Sequence, residues 1–137
     1  MSEARAVVER SVETWNAHDR AGWTGLFSPD ATLAAPGGMT GSGPDTAELF
    51  YSVWQDAFPD CAVRNTRIAA EGDEGVLEGV FEGTQSAPLR GPGGEIGATG
   101  KRVGIRFVAM HTVRDGLFTS FRLYFDQLGM LQELGVQ

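Results

Sequence analysis

The chain has 137 residues, 42% hydrophobic and 21% charged, which is the balance of an ordinary globule and enough for a single domain over 1–137. Eighteen acids against eleven Lys and Arg leave a net charge of -7, which repels nucleic-acid phosphates and anionic lipid and argues against either as a partner. Cys61 is the only cysteine, so neither an internal disulfide nor a multi-cysteine metal site is expected, and a reducing, cytoplasmic setting fits. The segment Met1 to Arg10 is mixed polar and charged, with no run that reads as a secretory signal or a membrane span.

In chain order, Ala4, Val8, Val12 and Trp15 recur at helical spacing and predict an amphipathic helix ending near Asn16. Asp19 is placed to cap a second short helix carrying Trp23, Leu26 and Phe27, which Ser28-Pro29-Asp30 breaks. Ala31 to Ala35 reads as a short strand stopped by Pro36-Gly37-Gly38. Pro44 and Asp45 open the clearest helix, whose apolar pairs Leu49 and Phe50, Val53 and Trp54, and Ala57 and Phe58 stand one turn apart until Pro59 ends it.

The period then changes from helical to alternating. Cys61 to Ala70, Gly75 to Thr84, Arg102 to Val113 and Leu117 to Phe125 read as four strands, the last two joined by the hairpin signal Asp115-Gly116. One face of the third carries Val103, Ile105, Phe107, Ala109, His111 and Val113, and one face of the fourth carries Thr119, Phe121, Leu123 and Phe125. Pro88 to Gly100 reads as a Gly-rich loop, and a closing helix with Leu128, Leu131 and Leu134 on one side follows Asp126. Nineteen glycines, about twice the usual share, suit turns and a strongly bent sheet. Helices first and strands afterwards predict an α+β domain with helices folded on one face of a mainly antiparallel sheet.

Several stretches carry a family resemblance: Trp15-Asn16-Ala17-His18-Asp19, Leu26-Phe27-Ser28-Pro29-Asp30-Ala31, Phe81-Glu82-Gly83-Thr84-Gln85, Ala98-Thr99-Gly100-Lys101 and Tyr124-Phe125-Asp126-Gln127-Leu128-Gly129. In this order and spacing the chain resembles the SnoaL-like polyketide cyclase family of the NTF2-like superfamily. The resemblance implies a cone, in which a curved mixed sheet encloses a blind pocket with its helices, often in a homodimer. It also implies a cyclase acid on the last strand seven residues after the hairpin Gly, and a His on the preceding strand seven residues before it. Those positions hold Leu123 and Ala109, neither of which can carry a proton.

The remaining candidates follow from side-chain chemistry. His111, on the pocket-facing side of its strand, is the candidate acid or base, because an ordinary imidazole titrates near neutrality. Trp54, Phe121 and Leu123 are expected in the pocket wall, with Gln85 and His111 as polar contacts, since small-molecule pockets are mostly apolar with few polar groups. His18 and Asp19 fall at a helix break and read as turn and cap residues, and two separated histidines are too weak a signal for a metal. Arg122, Tyr124 and Asp126 alternate onto the opposite strand face, toward a partner copy or a helix cap. The reading is therefore a pocket for a small, mostly apolar organic molecule, with no metal or cofactor expected. Two functions compete: proton-transfer chemistry such as cyclisation, isomerisation or dehydration without the usual Asp, and non-catalytic binding.

Overall fold

The computed structural model describes residues 3–136; Met1, Ser2 and Gln137, at the two ends of the span read as one domain, lie outside the described residues. The chain runs α1 (Glu3–Asn16), α2 (Arg20–Thr24), β1 (Phe27–Ala35), β2 (Met39–Ser42) and α3 (Pro44–Ala57). It continues through β3 (Ala62–Glu71), β4 (Glu74–Thr84), β5 (Leu89–Gly91), β6 (Gly94–Ile96), β7 (Arg102–Arg114), β8 (Leu117–Phe125) and α4 (Gln127–Glu133). Six strands form one sheet in the order β2-β1-β8-β7-β4-β3, and β5 and β6 form a separate hairpin. Every neighbouring pair in the large sheet is antiparallel except β1 with β8, which makes the sheet mixed.

The inner face of this sheet is apolar because alternate residues of β4, β7 and β8 point toward the helices. On β4 that inward row is Gly75, Leu77, Gly79, Phe81 and Gly83, so bulky side chains alternate with none. A Cβ at Gly75 would lie 2.8 Å from Val8 Cγ2, and one at Gly83 would lie 3.2 Å from Phe58 Cβ. These two glycines therefore let α1 and the end of α3 press against the sheet.

Short-range chemistry sets the element ends. The Asp19 carboxylate accepts from Gly22 N at 2.9 Å to start α2, and Asp126 does the same for Gly129 N at 2.9 Å to start α4. His18, just past α1, takes the left-handed conformation and donates from Nε2 to Cys61 O at 3.0 Å. Asn16 clamps Val63 from both sides, donating from Nδ2 to its carbonyl at 3.1 Å and accepting its N–H at 2.7 Å. Asp115 and Gly116 both have positive φ, as a tight two-residue hairpin needs.

Five local expectations are corrected. The Ser28-Pro29-Asp30 stretch does not stop the chain before a strand: β1 already begins at Phe27, and Pro29 falls where β2 has no partner residue, so its missing N–H costs no ladder bond. Pro36-Gly37-Gly38 turns into a further strand, β2, with both glycines at positive φ. The Gly-rich loop contains the β5–β6 hairpin. A bulge in β8 leaves Thr119 unpaired between Phe118, opposite Val113, and Ser120, opposite Thr112, so the fully buried Phe118 turns inward instead of Thr119. On the closing helix Leu134 is buried and Leu131 packs on the core as expected, but Leu128, in the first turn, is exposed and Met130 is buried in its place.

Candidate functional site

Aromatic rings dominate the space between helices and sheet. Trp15 packs on Trp23 with centroids 5.2 Å apart, Trp23 stacks on Phe50 at 5.6 Å, and Trp54 meets the edges of Phe81 and Phe125 at 5.6 and 5.7 Å. Flat, rigid rings cannot fill a tapering volume completely. A cavity of about 80 Å³ remains among them, bounded by α1, α3 and the inner face of β4, β7 and β8.

Trp54, Phe121 and Leu123 all line this cavity, as do Trp15, Phe50, Phe107 and Phe125. Ala109 and Leu123 are also direct partners in the β7–β8 register, so the two positions that the resemblance assigns to an imidazole and an acid face each other across the wall. Val12, Trp23, Val63, Leu77, Phe81 and Ile105 also line it and were not singled out as wall residues from sequence. For Leu77, Phe81 and Ile105 the signal was the period-two pattern of β4 and β7, which marks an inward face but does not separate core from wall. None of the lining residues is titratable. The one hydroxyl among them, Ser11 Oγ, donates to Val8 O at 2.6 Å within its own helix.

The two polar candidates lie outside that lining. His111 is 1% exposed, stacked on Phe118 at 4.6 Å and against the edge of Phe121 at 5.0 Å. Its Nδ1 lies 3.2 Å from Gly75 O, and because a carbonyl only accepts, Nδ1 carries the proton. Nε2 then holds a lone pair, buried and without a hydrogen-bond partner. Burial pushes the imidazole pKa down to about 4 against a smaller upward pull from the Gly75 carbonyl, so His111 is neutral at physiological pH.

Gln85 is fully buried and does the work of a loop anchor. Its amide nitrogen donates to the carbonyls of Ala87, Ile96 and Gly97, and its oxygen accepts from Thr99 N and Thr99 Oγ1. The side chain thus ties both ends of the β5–β6 hairpin to the end of β4. Cys61, also buried, has its thiol pushed up to about 12 by desolvation, which keeps it protonated at neutral pH. Among the described residues no group of three or more His, Cys, Asp or Glu side chains is placed to hold a metal ion, and no helix is long and apolar enough to cross a membrane.

Comparison with known proteins agrees with this geometry. A SnoaL-like polyketide cyclase candidate from Jannaschia sp. CCS1 superposes with a TM-score of 0.85 at 23% identity, covering 98% of this chain and 93% of that one. AclR, a hydroxylase candidate from Streptomyces galilaeus, superposes at 0.80 with 25% identity over 98% of this chain and 86% of its own. A protein from Catenulispora acidiphila with a ketosteroid isomerase-like fold, solved with trimethylamine, gives 0.78 at 17% identity over 96% and 93%. No curated protein matches the chain in sequence. The different activities attached to these neighbours mean that the shared cone does not select among them. What is common is the fold, and the SnoaL-like domain model matches residues 8–121, a span containing every residue that lines this chain's cavity except Leu123 and Phe125: the chain belongs to the SnoaL-like domain family.

Proposed function

We propose that this SnoaL-like domain binds a small, mostly apolar organic molecule in the cavity and holds it without a side-chain acid or base. One observation carries the reading: no titratable side chain lines the cavity, and the facing pair Ala109 and Leu123 occupies its wall. Burial of an apolar ligand against aromatic walls supplies binding free energy of about 25 cal/mol for each Å² removed from water, without any proton transfer. The trimethylamine held by the Catenulispora acidiphila protein supports a small organic occupant for such a cone. Native mass spectrometry of the purified protein, followed by extraction, tests this: the expected result is a retained molecule that incubation leaves chemically unchanged. Recovery of a rearranged product with multiple turnovers would overturn it.

A second reading, proton transfer in a cyclisation, isomerisation or dehydration, is favoured by a different observation. His111 is neutral, its Nε2 lone pair has no partner, and its ring touches Phe121, which does line the cavity. On that reading His111→Gln lowers turnover by about 100-fold, the low end for a positioned acid or base.

The same reading takes the outer sheet face as a homodimer surface. There Val108 pairs with Tyr124 on one side and Glu78 on the other, Met110 pairs with Arg122 and Val76, and Val80 pairs with Arg106. Half-buried apolar residues with charges of both signs around them form a self-complementary patch for a two-fold contact.

A further inference from the structure

The inner cavity, at about 80 Å³, is small beside the roughly 300–1,000 Å³ of most small-molecule sites. It is closer to the space that admits a single benzene ring. A second and larger space lies next to it, a cleft of about 420 Å³ between α3, the β5–β6 hairpin and α4. Trp54 and Phe125 line both spaces, and their rings meet edge to face at 83°, so the two share one wall.

Their chemistry differs. The inner walls are rings and aliphatic carbons, their one hydroxyl is already spent on Val8 O, and their only other polar groups are the buried indole N–H groups of Trp15 and Trp54. The outer cleft combines Leu89, Ile96 and Met130 with Arg90, Glu95 and Gln127, so it is the part of the site that brings polar side chains. Arg90 is the only cation in either lining, and its Nε is paired with Glu95 Oε1 at 2.9 Å in solvent. An anionic ligand therefore meets one exposed guanidinium already shared with a carboxylate, on a chain whose net charge is -7.

We propose that the outer cleft is the second half of one binding site, whose ligand is a flat, neutral molecule with an apolar ring seated in the inner cavity and an oxygen-bearing end in the cleft beside Gln127 and Arg90. The inference rests on the small-molecule reading above and adds the second compartment, the orientation and the charge of the ligand. Gln85 is then a positioning residue: its amide holds the carbonyl of Ile96, a wall residue of the cleft, at 3.1 Å.

The test uses ethyl 4-(dimethylamino)benzoate, a neutral one-ring molecule bearing an ester at one end, whose charge-transfer emission shifts to the blue in apolar surroundings. Ile96→Trp and Leu131→Trp fill the cleft from opposite walls, so one remains informative if the other fails to fold by circular dichroism. Ala109→Leu fills the inner cavity. The expected result is a blue-shifted complex with the wild type and a Kd raised at least about tenfold by filling either compartment. Wild-type affinity in both folded cleft variants, with loss only in Ala109→Leu, overturns the second compartment and leaves the inner-cavity reading standing. Loss only in the cleft variants overturns the idea of one continuous site together with the inner-cavity reading. No binding by the wild type up to the solubility of the probe overturns the proposal, while a retained apolar molecule in native mass spectrometry would still uphold the simpler function. Equal affinity for the anionic 4-(dimethylamino)benzoate overturns the preference for a neutral ligand.

Discussion

His111 makes the stability of this protein depend on pH in a window where few carboxylates titrate. In the folded chain its pKa is pushed down to about 4, with desolvation as the main cause. In the unfolded chain it returns to about 6.5. Above pH 6.5 both states are neutral and nothing is lost. As the pH falls from about 6.5 to about 4 the unfolded state takes up a proton that the folded state refuses, so stability falls throughout that interval and levels off below it. At about 1.36 kcal/mol for each tenfold change in proton affinity the full loss is about 3 kcal/mol, and roughly 2 kcal/mol of it is gone by pH 5. That is a large share of the ~5–15 kcal/mol by which a domain of this size is stable. In His111→Phe, a ring of similar shape replaces the imidazole between Phe118 and Phe121 and leaves the Gly75 carbonyl without its side-chain donor, a cost that does not depend on pH. Urea titrations of both proteins at a series of pH values, compared as the difference between them, cancel that fixed cost and the shared carboxylates. The wild type should lose about 2 kcal/mol more than the variant between pH 7 and 5. Parallel curves would mean that His111 protonates in the folded state as readily as in the unfolded one, and the buried, neutral imidazole would be refuted.

Leu123→Asp puts a carboxyl group into an apolar wall opposite Ala109, and should cost about 2 kcal/mol or more at neutral pH. Its folded pKa lies above the unfolded value near 3.9, so the penalty is present at neutral pH and fades as the pH falls toward that value; melting temperatures across pH check this, and a variant as stable as wild type at pH 7 would place position 123 in solvent. Gln85→Leu strips the Ala87, Ile96 and Gly97 carbonyls of their shared donor and should speed hydrogen exchange across 86–100 while sparing β3 and β4, with a stability loss of about 1–3 kcal/mol. Uniform exchange through the whole chain would show that Gln85 supports the fold globally. If copies pair through the outer sheet face, Val108→Glu, which sits between Glu78 and Tyr124, should convert a sedimenting dimer to a monomer; a wild type that is already monomeric refutes the pairing.

Much of this architecture was legible because it rests on local signals. The helix caps at Asp19 and Asp126, the Asp115-Gly116 turn and the inward row of β7 each depend on a few neighbouring residues, and a periodic pattern over thirteen residues leaves little choice of face. Trp54, Phe121 and Leu123 could be placed at the cavity on the same basis together with the family resemblance. What the chain alone did not reveal was decided by contacts between residues far apart in sequence. The bulge that turns Phe118 inward exists only against β7, and the β5–β6 hairpin is tied down by a glutamine whose partners lie up to fourteen residues away. His111 and Gln85 looked like pocket contacts because a buried polar side chain on an inward face suggests a site. Tertiary structure decides whether such a group meets the cavity or a backbone carbonyl. Here Gly75 lies beside His111, and the carbonyls of Ala87, Ile96 and Gly97 converge on Gln85, so both side chains satisfy the backbone while the cavity is left to rings and aliphatic carbons.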